Sequence, residues 1–120
     1  MVDIYELTRT LPLEGRYGLQ SQIRRAAVST STNIVEGSVR RGDKHYLRYL
    51  ENALGSACEV RYLLSVCVRL KMLRMADCDA FIDRYTEVVK GLSALIIRIN
   101  NDLVAQSQVR RRRRAERAES

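Results

Sequence analysis

The chain has no tryptophan, one phenylalanine, one proline, one histidine and three cysteines. Each scarcity closes off a class of protein. A single Pro and six Gly in 120 residues argue against a turn-rich sheet and for helices. His45 stands alone, so neither a second imidazole for a metal nor a base for a nucleophile is at hand. It follows Gly42 by three residues, in the first turn of a predicted helix, and reads as a surface residue. The cysteines form no C-x-x-C motif. Cys58 and Cys67 lie nine apart on one predicted helix. At roughly 100° per residue they are half a turn out of phase and cannot face one metal. Cys78 opens another helix, and buried free thiols in a reducing compartment are the consistent reading. With no Trp and one Phe, a stacking platform for single-stranded bases has little to build on. The six Tyr replace it only in part, because Tyr46, Tyr62 and Tyr85 fall on or near core stripes. No apolar run approaches the roughly 18 residues of a membrane span. Met1 to Glu6 lacks the basic and apolar regions of a signal peptide. Cytoplasm, with no membrane, is the expected location.

What is present is a basic excess with a definite placement. Residues 110–120 hold six Arg and two Glu, net +4 of the total +7. The other 109 residues carry 15 basic and 12 acidic groups, and most of that excess lies between Arg16 and Arg48. Arg16, Arg24, Arg25, Arg40, Arg41, Lys44 and Arg48 face only Glu36 and Asp43 there.

Periodicity divides the chain into helices. Residues 2–9 form a short piece with Ile4 and Leu7 three apart, closed by Thr10-Leu11-Pro12. After a loop over Leu13 to Tyr17, a second helix runs from Gly18 to Glu36. It sets Leu19, Ile23, Ala26, Ala27, Thr30 and Ile34 on one face, and Gly37 is placed to end it. Asp43 suits the N-cap of the third helix, whose stripe is Tyr46, Leu50, Ala53, Ala57, Val60, Leu64 and Cys67. Gly55 in its middle costs about 1 kcal/mol relative to Ala, which points to close packing against another helix. Lys71 to Ala76 connects to a fourth helix capped by Asp77, with Phe81, Ile82, Tyr85, Val88, Leu92, Leu95, Ile96, Ile99 and Leu103 buried. Short loops between long helices imply an all-α, antiparallel up-down four-helix bundle with a shortened first helix. Residues 1–106 make that domain, and 107–120 an Arg-rich tail, disordered or fraying.

Two polar features stand apart from the core pattern. Gln22, Arg25, Ser29, Asn33 and Glu36 recur at spacings of three, four, four and three, and so share a face. A hydrogen-bonded network between helices or subunits, with Arg25 and Glu36 at its ends, is the first reading of that stripe. A contact surface for RNA is the second, and chemistry at a serine the third. The run Arg110, Arg111, Arg112, Arg113 and Arg114, with Arg117, suits a polyanion, against the alternative of a solubilising terminus.

Gln22-Ile23-Arg24-Arg25-Ala26-Ala27-Val28-Ser29, followed by Asn33-Ile34-Val35-Glu36-Gly37, resembles the signature of the four helix bundle protein family encoded in intervening sequences of bacterial 23S ribosomal RNA genes. Arg16-Tyr17-Gly18-Leu19 and the stretch Tyr49 to Glu59, with its Ala-Leu-Gly-Ser segment, are similar to it too. The resemblance runs from Ile4 to Leu103. It implies an antiparallel bundle assembling into a ring-like homopentamer, with Gln22, Arg24, Arg25, Asn33 and Glu36 as signature polar positions. More distantly the chain is similar to the accessory protein of diversity-generating retroelements, a basic pentamer that works with a reverse transcriptase and its RNA. No enzymatic activity and no cofactor come with either group. Members usually begin further upstream with an aromatic-rich first helix, of which only Val2 to Leu11 has a counterpart here, and the arginine tail lies outside the pattern. The expected function is a non-catalytic, homo-oligomeric RNA-associated protein. It would bind through Arg24, Arg25, Arg40, Arg41, Lys44 and the Arg110 to Arg114 run. The rival expectation is a protein-interaction scaffold whose charge is incidental.

Overall fold

The computed structural model describes residues 2–11, 18–42 and 44–119. The loop over Leu13 to Tyr17 and the Asp43 cap lie outside the described residues. Four helices follow one another: α1 (Val2–Leu7), α2 (Leu19–Val39), α3 (Tyr46–Arg69) and α4 (Met75–Glu119). They form an all-helical, antiparallel bundle in which α3 is central, packed on α2 and on α4, while α1 bridges α2 and α4 at one end. The molecule is a rod of 71 × 23 × 20 Å, its length set by the 45-residue α4.

The main core gathers at the α1 end. Ile4, Leu11, Ile23, Ala26, Ala27, Val60, Leu63, Leu64, Cys67 and Cys78 are buried together there. A second cluster, at the other end, buries only Leu50, Ala53 and Leu92, with Tyr46, Leu54, Val88, Leu95, Ile96 and Ile99 half-buried around them. The cause is the length of α1, whose six residues span about 9 Å at 1.5 Å per residue. Beyond its reach the bundle has three helices. The α3 stripe is buried as its spacing predicts, Tyr46 being half-covered. The α4 stripe is not: Leu92 alone among the predicted positions is buried, and Leu103 is 50% exposed. Ile34 on α2 and Tyr62 on α3 are likewise exposed rather than core.

Two boundaries differ from expectation, the end of α2 and the start of α4, while α3 ends where expected, before Lys71. Gly37 does not end α2, which continues to Val39; the Arg40 amide closes it by donating to the Glu36 and Gly37 carbonyls. Gly37 is instead a contact point, where an added Cβ would lie 3.4 Å from Tyr49 Cβ. The α3 terminus is a Schellman turn, with Met72 N–H donating to the Cys67 carbonyl at 2.9 Å and Lys71 to Val68 at 3.0 Å. Lys71 takes the left-handed position usually given to Gly, at φ 59°. Asp77 lies inside the first turn of α4, which starts at Met75; its carboxylate accepts from Arg74 Nε at 3.0 Å.

Of the two readings of the tail, disordered or fraying helix, residues 107–119 take the helical form and continue α4, exposed throughout. Gln, Arg, Ala and Glu are strong helix formers, and a helix already nucleated extends without a fresh nucleation cost. Arginines near a helix C-terminus also face the negative end of its dipole, which opposes their mutual repulsion.

Candidate nucleic-acid interface

The turn joining α2 to α3 carries Arg40 at the C-cap of α2, the exposed Arg41 and Lys44, and Arg48 in the first turn of α3. A cleft of about 430 Å³ opens there, lined by Arg40, His45, Arg48, Tyr49 and Asn52. The Arg40 guanidinium lies over the Tyr49 ring, 5.4 Å from its centroid, and its Nε is 3.8 Å from Glu36. His45 occupies the N-cap position of α3, with no side-chain capping bond. Charge patterning alone points to Arg40 and to Arg48 as cations, and not to Tyr49 or Asn52. The signal that could find them is their spacing from His45, which puts His45, Arg48, Tyr49 and Asn52 on one face of α3.

The same turn rests against the far part of α4. Gly42, Lys44, Tyr46 and Leu47 share a surface hollow with Ile99, Asp102, Leu103 and Gln106. From Gln106 the helix runs on to Glu119, about 20 Å further at 1.5 Å per residue. Arg110 to Arg114 and Arg117 therefore extend past the α2–α3 turn, and the two basic clusters occupy one end of the rod. Along a helix, five consecutive arginines point to every side. The tip is cationic all round.

Arg24 belongs to neither cluster. Its Nε donates to Thr8 Oγ1 at 3.1 Å and its Nη2 to the Tyr5 carbonyl at 2.9 Å, with the guanidinium 4.4 Å above the Tyr5 ring. Gln20 Nε2 adds a bond to the Thr8 carbonyl at 3.0 Å. These contacts clamp α1 onto α2. Arg25, next in sequence, is exposed.

The polar stripe of α2 is brought together in its middle. Ser29 Oγ and Ser56 Oγ are 2.8 Å apart across the α2–α3 seam, and Asn33 Nδ2 donates to the Ser29 carbonyl at 2.8 Å. Gln22 is half-buried, while Arg25 and Glu36 are exposed, with Glu36 beside Arg40. Gly37, at the end of the same signature, is buried against α3. Ser56 is the member that the α2 spacing does not reveal.

Among the thiols, Cys67 and Cys78 are buried and Cys58 half-buried. Burial pushes the Cys67 thiol up; for Cys78 burial acts first, then Cys67, Asp77 and Asp79. Both sit in the core as neutral thiols. Among the described residues no three His, Cys, Asp or Glu side chains converge, and no helix is long and apolar enough to cross a membrane.

The model of the 23S rRNA-intervening sequence protein family matches residues 1–94, ending within α4 before the arginine run. A solved structure from Bacteroides thetaiotaomicron, a protein of unknown function from the S23 ribosomal protein family, has the same fold. Its TM-score is 0.67 at 23% identity, covering 79% of this chain and 86% of that one. No curated protein matches the chain. The family match bears out the resemblance carried by Gln22 to Gly37 and Tyr49 to Glu59.

Proposed function

The chain belongs to the 23S rRNA-intervening sequence protein family, and from that premise we propose that it is a non-catalytic, cytoplasmic, homo-oligomeric accessory protein that binds RNA through the basic end of the rod. One observation carries the reading: two basic clusters some sixty residues apart in sequence project from the same end. The contacts are to phosphates. Arg40, Arg41, Lys44 and Arg48 form a base, and Arg110 to Arg114 with Arg117 a helical extension of it. Arg24 is left out of the proposed surface, because its guanidinium is bonded to Thr8 and Tyr5. In an oligomer such as the homopentamer that the resemblance implies, each copy adds one such end, and avidity rises without base-specific contact. A reverse transcriptase or another nucleic-acid enzyme is the kind of protein partner this role calls for.

The test is a salt titration of binding to RNA, duplex DNA and heparin, with mass followed by light scattering. Full-length protein and a variant lacking residues 110–120 are compared. Each phosphate that an arginine no longer neutralises lowers the slope of log affinity against log salt by roughly 0.7 to 0.9. The expected outcome is weaker binding and a flatter slope for the truncation, with an unchanged number of copies in the assembly. Identical titrations of the two proteins would rule out the tail as a binding element.

A protein-interaction scaffold is the second reading, favoured by Val35, Val39 and Tyr62, which are 61%, 78% and 64% exposed. A protein partner that stays bound near 1 M salt, where the Debye length is about 3 Å, would favour it.

A further inference from the structure

Charge explains Arg40, Arg41, Lys44 and Arg48, but not what stands between them. The cleft at the α2–α3 turn has about 430 Å³ of space, inside the range of roughly 300–1,000 Å³ typical of small-molecule sites. One wall is α3, where Arg48, Tyr49 and Asn52 follow His45 at i+3, i+4 and i+7. The other is Arg40, held over the Tyr49 ring at 5.4 Å. Glu36 offsets part of the Arg40 charge at 3.8 Å, whereas Arg48 is exposed and is the outer cation of the cleft. Asn52 is exposed too and offers an amide that both donates and accepts.

A bare phosphate would use the cations and leave the ring and the amide idle. A base inside a duplex shows only its edge to a protein and cannot stack on a side chain. An unpaired base stacks on aromatic rings and guanidinium planes and offers its pairing edge to an amide. We infer that this cleft holds one unpaired nucleotide of an RNA strand. Its phosphate lies on Arg48 with help from Arg40, its base on the Arg40–Tyr49 stack, and its edge against Asn52. The inference rests on the nucleic-acid reading above and divides the labour within it: the helical tip takes the backbone of any strand, and the cleft takes a base that is not paired.

The experiment uses the full chain and two RNA probes, a blunt hairpin and the same hairpin with an unpaired adenosine overhang. The variants are Tyr49→Leu and Asn52→Ala, which leave the net charge untouched. Asn52 is exposed, so Asn52→Ala keeps the test valid should Tyr49→Leu disturb the packing around Gly37. Wild type is expected to bind the overhang probe about tenfold more tightly than the blunt one, in line with the value of stacking one base. Tyr49→Leu should lose that preference and Asn52→Ala should reduce it, both keeping the blunt-hairpin affinity. Equal, salt-sensitive binding of both probes by wild type would overturn the cleft and leave the nucleic-acid reading standing. So would a preference that survives both substitutions. Binding to neither probe would overturn the cleft and the reading together.

Discussion

The Arg24 guanidinium spends its hydrogen-bonding capacity inside the molecule, on Thr8 and Tyr5, and stacks on the Tyr5 ring. Arg24→Ala should therefore act on stability. Charged hydrogen bonds are worth about 1.5–3 kcal/mol each when protected, and partial exposure here brings the expected cost to roughly 1–2 kcal/mol. Urea denaturation reads that cost, and the salt slope of RNA binding should not change. Arg25→Ala is expected to change neither, since Arg25 is exposed and lies on the α1 half of α2, away from the basic end. If Arg24→Ala flattened the salt slope and left stability intact, the assignment would be wrong. Sequence places both arginines on α2 but does not separate their roles. The separation comes from Tyr5 and Thr8, which lie 19 and 16 residues before Arg24. Tyr49 and Asn52 escape a sequence reading for a related reason: an aromatic and an amide at helical spacing acquire meaning only once Arg40 is seen across the cleft.

At the scale of the helix, two glycines behave differently. A methyl group at Gly37 would meet Tyr49 Cβ at 3.4 Å, with Leu50 and Tyr46 side-chain carbons at 3.7 Å. At Gly55 it would meet nothing within 4 Å. Gly55→Ala is thus expected to gain up to about 1 kcal/mol from helix propensity, read as a higher urea midpoint. Gly37→Leu should cost about 1–3 kcal/mol by overpacking the α2–α3 seam. A Gly55→Ala protein that lost mass by light scattering would instead place α3 in a contact between copies. The helical stripes of α2, from Ile23 to Thr30, and of α3 are legible in the sequence because their periodicity and their burial coincide. The stripe of α4 is equally periodic but only half-covered, and periodicity cannot tell how many neighbours a helix will have. The tail leaves two readings open for a different reason: its charge argues for disorder, while its helix-forming residues follow directly on an established helix.

Across the whole molecule, cohesion is uneven. The α1 end holds the larger buried cluster, and the end bearing the basic turn holds three buried residues with half-covered neighbours. Amide hydrogen exchange should follow that gradient. Protection is expected to be greatest over Val60 to Cys67, opening only with global unfolding, and least from Ile97 towards Glu119. Uniform protection along α4 would contradict the gradient, and slowed exchange confined to Val88 to Ile99 on raising the concentration would locate a contact between copies. Four helices, their order and the antiparallel topology can be read from periodicity and short connections. That the two basic clusters coincide in space cannot, because it depends on α4 outrunning α3 at the turn. The rod consequently has a centre of charge displaced far from its centre of mass. In the field of a polyanion such a body feels a torque as well as a pull, so it approaches tip-first, already oriented when contact is made. Orientation is normally what slows protein association below the diffusion limit; here it is built into the shape, and its benefit fades as salt shortens the field's reach.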